Sequence, residues 1–191
     1  MMKTLFLSFF LLLATSTLLF AQPERIGAGL AFANVLDFNG GETSNPGLFL
    51  KTWIALDQKS KLHVVPSFTV FNRYKFDPGQ YVLKVFTFHG DLDAQYVVFT
   101  EKNIKVIGFA GGNFTYLTST FEPYFVGTPV TLSDAKDWAV GGNLGAALEL
   151  RMSSHWDFIV SGKYKISKYP QFVISVSGAY FFRDRSRSYR R

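Results

Sequence analysis

The chain has 191 residues, no cysteine, a formal net charge of +6 and 17% aromatic residues. The missing cysteines exclude a disulfide framework and a lipid-anchored amino-terminal cysteine. A basic balance invites a nucleic-acid reading, but the excess is either scattered singly or gathered in Arg183–Arg191, where five arginines face only Asp184, so nucleic acid is not expected as a partner.

Residues 1–21 read as a secretory signal peptide. Lys3 precedes an apolar run from Leu5 to Phe20, interrupted by Ser8 and the Thr15-Ser16-Thr17 patch, with Ala21 before the expected cut. The run falls short of the roughly 20 residues that a spanning helix needs. Cleavage would remove only Lys3 among the charged residues, so the net charge falls from +6 to +5. A single domain over residues 22–183 is expected, followed by a solvated basic tail, 184–191.

Eight segments of period-two alternation follow in order, each the signature of an extended strand with one apolar and one polar face. They cover about Arg25–Asn34, Leu48–Asp57, Lys61–Arg73, Val82–Phe99, Ile104–Leu117, Trp138–Met152, Trp156–Ser167 and Phe172–Phe182. The sixth is the clearest. Trp138, Val140, Gly142, Leu144, Ala146, Leu148, Leu150 and Met152 carry no charge, while Ala139, Gly141, Asn143, Gly145, Ala147, Glu149 and Arg151 are small or polar. Its fifteen residues are long for a soluble strand and match a tilted strand that crosses a bilayer with its interfacial ends. Pro66 is a flaw in the third segment, because proline cannot donate to a ladder.

The connections alternate in length. Asp57–Lys61, Thr100–Asn103 and Ser153–His155 are tight, and about Val35–Gly47, Asn72–Tyr81 and Thr118–Asp137 are long, with the final link Lys168–Gln171 short. Strand number and loop asymmetry together predict an all-β protein: an eight-stranded antiparallel up-and-down transmembrane β-barrel with its tight turns in the periplasm. Backbone groups in hydrocarbon must all pair, so such a sheet closes on itself. Eight strands leave an interior that side chains fill. The expected filling is a lumen polar cluster of Lys51, His89, Asp91, Asp93, Gln95, Glu149, Arg151 and Lys163, with Asn113, Asn143, Asp157 and Lys165 beside it, charges pairing across the centre. Trp53 and Phe109 fall on the lumen side by parity, either filling space beside glycines or marking a slip of register. Phe32, Tyr116, Trp138, Tyr164 and Phe172 are expected at one lipid boundary, and Tyr96, Trp156, Tyr180 and Phe182 at the other.

With these features, and with a last strand ending Ala179-Tyr180-Phe181-Phe182, the chain resembles the small eight-stranded outer-membrane barrels of Gram-negative bacteria, the OmpA/OmpX-like family, across residues 22–183. The resemblance implies residence in the outer membrane, contact with its lipid and lipopolysaccharide, and delivery by the barrel-insertion machinery, which reads such an aromatic terminal strand; Arg183–Arg191 after it depart from the pattern. It also implies a monomer serving envelope structure, or surface interaction through outer loops. Phe121, Tyr124 and Phe125 in the longest loop are the contact candidates for an extracellular ligand or an envelope protein. No catalytic residue, cofactor or metal is expected. His89 with Asp91 forms neither a metal-binding spacing of note nor a base with a placed serine. The other readings are a soluble lipocalin-like periplasmic carrier, a narrow pore, and a lipid-modifying barrel enzyme.

Overall fold

The computed structural model describes residues 23–34, 44–56, 61–76, 81–123 and 135–182. The expected signal peptide and basic tail lie outside them. The strands are β1 (Pro23–Asn34), β2 (Ser44–Ala55), β3 (Leu62–Phe71), β4 (Tyr74–Phe76), β5 (Tyr81–Glu101), β6 (Ile104–Pro123), β7 (Ala135–Arg151), β8 (Trp156–Ile166) and β9 (Gln171–Phe181). Every neighbouring pair is antiparallel, and β1 pairs with β9 from Arg25↔Phe181 to Ala33↔Val173, so the sheet closes into a barrel.

The barrel has eight walls because β3 and β4 form one interrupted strand. Both pair with β5, and Val70↔Phe88 gives way to Tyr74↔Val85 with one residue more on the β3–β4 side. That extra residue is a bulge at Asn72–Arg73, within a stretch expected to be loop. A second bulge at Val98, between Val97↔Ile107 and Phe99↔Val106, turns both Val98 and Phe99 outward. Pro66 is accommodated inside β3. The ladder to β5 runs through Pro66↔Leu92, whereas the ladder to β2 is interrupted between Lys51↔Ser67 and Ile54↔Val64. The missing N–H thus falls in a local gap in one ladder rather than breaking the strand.

The polar face points inward. Leu144 is 61% exposed and Ile174 46%, while His89 and Glu149, on the opposite faces of their strands, are buried to 0% and 1%. A soluble carrier barrel shows the reverse, with an apolar centre and a charged exterior. The outer wall presents Leu30, Leu48, Leu50, Leu92, Leu144, Leu148 and Ile174 as an apolar band. Exposed aromatics flank it: Phe32, Trp138, Tyr164 and Phe172 toward the long connections, and Tyr96, Trp156, Tyr180 and Phe182 toward the tight turns. Phe114 stacks on Trp138 and Trp156 packs edge-on against Tyr180.

Trp53 and Phe109 lie inside, 1% and 5% exposed, with no slip of register. Each occupies space that a glycine vacates. A Cβ at Gly27 would come within 2.9 Å of the Trp53 ring, and one at Gly145 within 2.4 Å of the Phe109 ring. Large ring and missing side chain lie side by side on neighbouring strands, the complementarity that a filled interior demands.

Candidate functional site in the lumen

Two charged layers cross the lumen, with an apolar layer between them. Chain order shows the sequence of layers directly. Inward positions run Asn143, Gly145, Ala147, Glu149 on β7, and Asp157, Ile159, Ser161, Lys163, Lys165 on β8. Ala147 and Ile159 belong to the apolar layer, with Trp53, Val65, Val97, Ile107, Phe109 and Ala179. A further apolar group, Ala31, Ala33, Phe49, Phe71 and Val173, lies toward the long-connection end.

The layer at the tight-turn end is built on Arg25. Its Nη1 donates to Glu149 Oε2 at 2.6 Å and to Asp157 Oδ2 at 3.3 Å, and Lys105 Nζ donates to Glu149 Oε1 at 2.9 Å. The guanidinium also lies over the rings of Trp53 and Phe181, 4.3 and 4.9 Å from their centroids. Nearby, His63 Nε2 sits 3.0 Å from Glu24 Oε2. Two cations against two buried carboxylates make a closed set, as buried ions require.

The central layer gathers most of the expected cluster. Lys163 Nζ donates to Asp93 Oδ2 at 2.6 Å and to Asp91 Oδ2 at 3.1 Å; Lys165 Nζ donates to Asp91 Oδ1 at 2.8 Å. Asn143 Nδ2 donates to Asp93 Oδ1 at 2.9 Å and accepts support from Asn113, whose Nδ2 donates to Asn143 Oδ1 at 2.9 Å. Gln95 Oε1 accepts from the Trp53 indole N–H at 2.9 Å, which satisfies the one polar atom of a fully buried tryptophan. Lys51 is buried with its ammonium against the Phe49 and Trp53 rings.

Glu149 lies within the lumen, in the Arg25 layer. Two placements differ from expectation. Arg151 joins neither layer: β7 ends at it, and its Nε donates to Ser153 O in the following turn at 3.5 Å, a partly exposed position. Arg25, central to its layer, was not among the expected lumen residues, although its parity opposite Ile26 and Ala28 was the signal. Among the contact candidates, Phe121 belongs to β6 opposite Leu83; Tyr124 and Phe125 lie outside the described residues.

The lumen offers poor catalytic geometry. The His89 ring meets Lys165 rather than Asp91: Nδ1 accepts from Lys165 Nζ at 2.7 Å. Ser154 Oγ lies 2.9 Å from His155 Nδ1, but the two are chain neighbours in a turn and among the described residues no carboxylate orients that ring. Among the described residues no three His, Asp or Glu side chains are grouped to hold a metal ion.

No protein-family model matches the chain, and no curated protein matches it in sequence. Solved structures do match in shape. Ail, the attachment invasion locus protein of Yersinia pestis, aligns with a TM-score of 0.58 at 13% identity, covering 84% of this chain and 98% of Ail. The fold is that of the small outer-membrane β-barrels. The amino-terminal barrel domain of Pseudomonas aeruginosa OprF aligns equally well, at 0.58 and 12% identity over 84% of this chain and all of that domain. Neisserial surface protein A gives 0.58 at 14% identity over 83% and 96%. Ail has also been solved in complex with the heparin analogue sucrose octasulfate. At these identities the likeness is one of architecture: closed, antiparallel and eight-walled.

Proposed function

We propose that this protein is an integral component of the Gram-negative outer membrane, a plugged barrel that serves envelope structure or surface interaction through its long connections and has no enzymatic activity. The observation that carries this reading is the inversion of faces: an apolar outer band bounded by aromatics, around a centre filled with ion pairs. Water would not tolerate that exterior on a monomer, and acyl chains would. Lys75 and Lys84, directly paired on the outer wall beyond the band, and Lys136 on β7, supply positive charge where lipopolysaccharide phosphates would lie. The aromatic end of β9 suits recognition by the insertion machinery. Residues 1–21 act as the cleaved export signal.

Fractionation tests the assignment. The protein should remain with membranes after carbonate washing and should migrate faster on a detergent gel before boiling than after. Release into the soluble fraction would instead support a periplasmic carrier. In planar bilayers it should give no steady single-channel current, because the apolar layer around Trp53 and Phe109 separates the charged layers. For the loops, the combined substitution Phe121→Ser, Tyr124→Ser, Phe125→Ser should preserve the gel shift while reducing attachment of expressing cells to immobilised sulfated polysaccharide. Unchanged attachment would remove those residues from a contact role.

A further inference from the structure

The central layer contains a cavity of about 40 Å³, walled by Lys51, Thr69, His89, Asp91, Lys163 and Lys165 among others. At roughly 10–15 Å³ for each water-sized body, that is room for about three. Its charges do not balance. Three lysines, Lys51, Lys163 and Lys165, face two aspartates, Asp91 and Asp93. Both aspartates are already occupied by Lys163 and Lys165. Among the described residues no carboxylate pairs with Lys51, whose ammonium has only the ring faces of Phe49 and Trp53, at 5.0 and 4.9 Å. Ring quadrupoles attract a cation weakly compared with the cost of removing it from water.

A second group in the same wall also lacks a partner. His89 Nδ1 accepts from the Lys165 ammonium, which places the ring proton on Nε2. That Nε2–H is fully buried and has no acceptor among the described residues. Lys51, Thr69 and His89 belong to three consecutive walls: Lys51 pairs with Ser67 on β3, Thr69 is two residues further along β3, and Thr69 pairs with His89 on β5. A cation short of a counter-ion and a donor short of an acceptor therefore line one small cavity.

We propose that this cavity is a binding site for a small monovalent anion of halide size, held by the Lys51 ammonium with the His89 Nε2–H and the Thr69 hydroxyl. Such an ion supplies both missing partners at once and brings the wall to neutrality. The volume takes a halide with a water or two, and excludes sugars, nucleotides and other bulky anions. The site is a fixed part of the plug and does not depend on how the barrel is oriented in a membrane.

Bromide is the probe. Crystals of the full-length folded barrel grown or soaked in sodium bromide should show an anomalous peak within hydrogen-bond reach of Lys51 Nζ, and a cavity holding only water would overturn the proposal. In detergent solution, the unfolding midpoint should rise saturably with sodium bromide relative to sodium gluconate at equal ionic strength. Lys51→Met should weaken that apparent bromide affinity at least tenfold while retaining the heat-shifted gel band. A bromide effect that persists in Lys51→Met would assign it to surface ions and overturn the site. If Lys51→Met fails to fold, the bromide crystal of the unaltered protein decides alone.

Discussion

The two charged layers of the lumen use the same chemistry and reach different ends. At the tight-turn end, Arg25 and Lys105 balance the charges of Glu149 and Asp157, and the Arg25 guanidinium lies against the rings of Trp53 and Phe181. In the centre, Lys163 and Lys165 exhaust Asp91 and Asp93, and Lys51 and His89 Nε2 are left facing a void. The contrast separates two jobs that buried ions can do. One layer locks strands together from β1, β6, β7 and β8. The other holds a polar space open within a packed barrel.

The sharpest way to break this comparison is Arg25→Met. It removes the cation that Glu149 and Asp157 share and leaves Lys105 alone to balance the layer, so unfolding in urea should show a loss of about 3–5 kcal/mol. Replacing Glu149 and Asp157 with leucine as well should recover much of that loss, because a well-packed apolar set of similar volume can match a buried ion cluster. Lys163→Met should cost visibly less than Arg25→Met, since Lys165 still pairs Asp91 and Asn143 still serves Asp93. Equal losses would mean that the central layer is as tightly closed as the other.

Both layers depend on the wall that faces outward. Leu144→Arg should cost roughly 2–4 kcal/mol in lipid vesicles if that residue meets mid-bilayer acyl chains, and much less in water-filled surroundings. Gly145→Ala probes the apolar layer between the two. Its Cβ would fall 2.4 Å from both the Gly162 carbonyl oxygen and the Phe109 ring, so overpacking of about 1–3 kcal/mol is expected by denaturant titration.

The smallest effect belongs to the rim. Asp137 accepts from the Lys168 ammonium, the Tyr169 hydroxyl and the Trp138 backbone N–H, and these hold its carboxyl down to about 2. A depressed carboxyl contributes stability that is present above its ordinary range near 4 and lost as the pH falls toward 2. Asp137→Asn should therefore lower stability slightly at neutral pH and flatten the acid limb, the two proteins converging as the pH falls toward 2. An unaltered acid limb would show that this exposed contact contributes nothing measurable.

Much of the barrel was legible because its strands obey one rule. Inward and outward residues alternate without a slip along β7, and the same parity places Asp91, Asp93 and Lys163 together from strands far apart in the chain. The features that escaped are those that break period two or lie beyond it. The bulge at Asn72–Arg73 hides β4 inside what reads as a polar connection. Pro66 reads as a fault because sequence does not say which ladder will lose its donor. Arg151 follows the parity of a lumen residue, but parity cannot tell that β7 stops there. Arg25 escapes for the opposite reason: beside Glu24 at the start of a first strand it resembles a flanking charge until the partner carboxylates from β7 and β8 are seen around it. The pairing of ions across the centre is set by strand stagger, which no single segment encodes.

The seam between β1 and β9 has a consequence for biogenesis. The first strand made waits for the last before its second edge is covered, so any shorter product carries an open row of backbone donors and acceptors beside an oily flank. Such an intermediate would readily stick to its own kind. Safe passage to the membrane then demands that an escort shield the whole polypeptide until the final strand arrives, and that ring closure be the last act of assembly rather than the first.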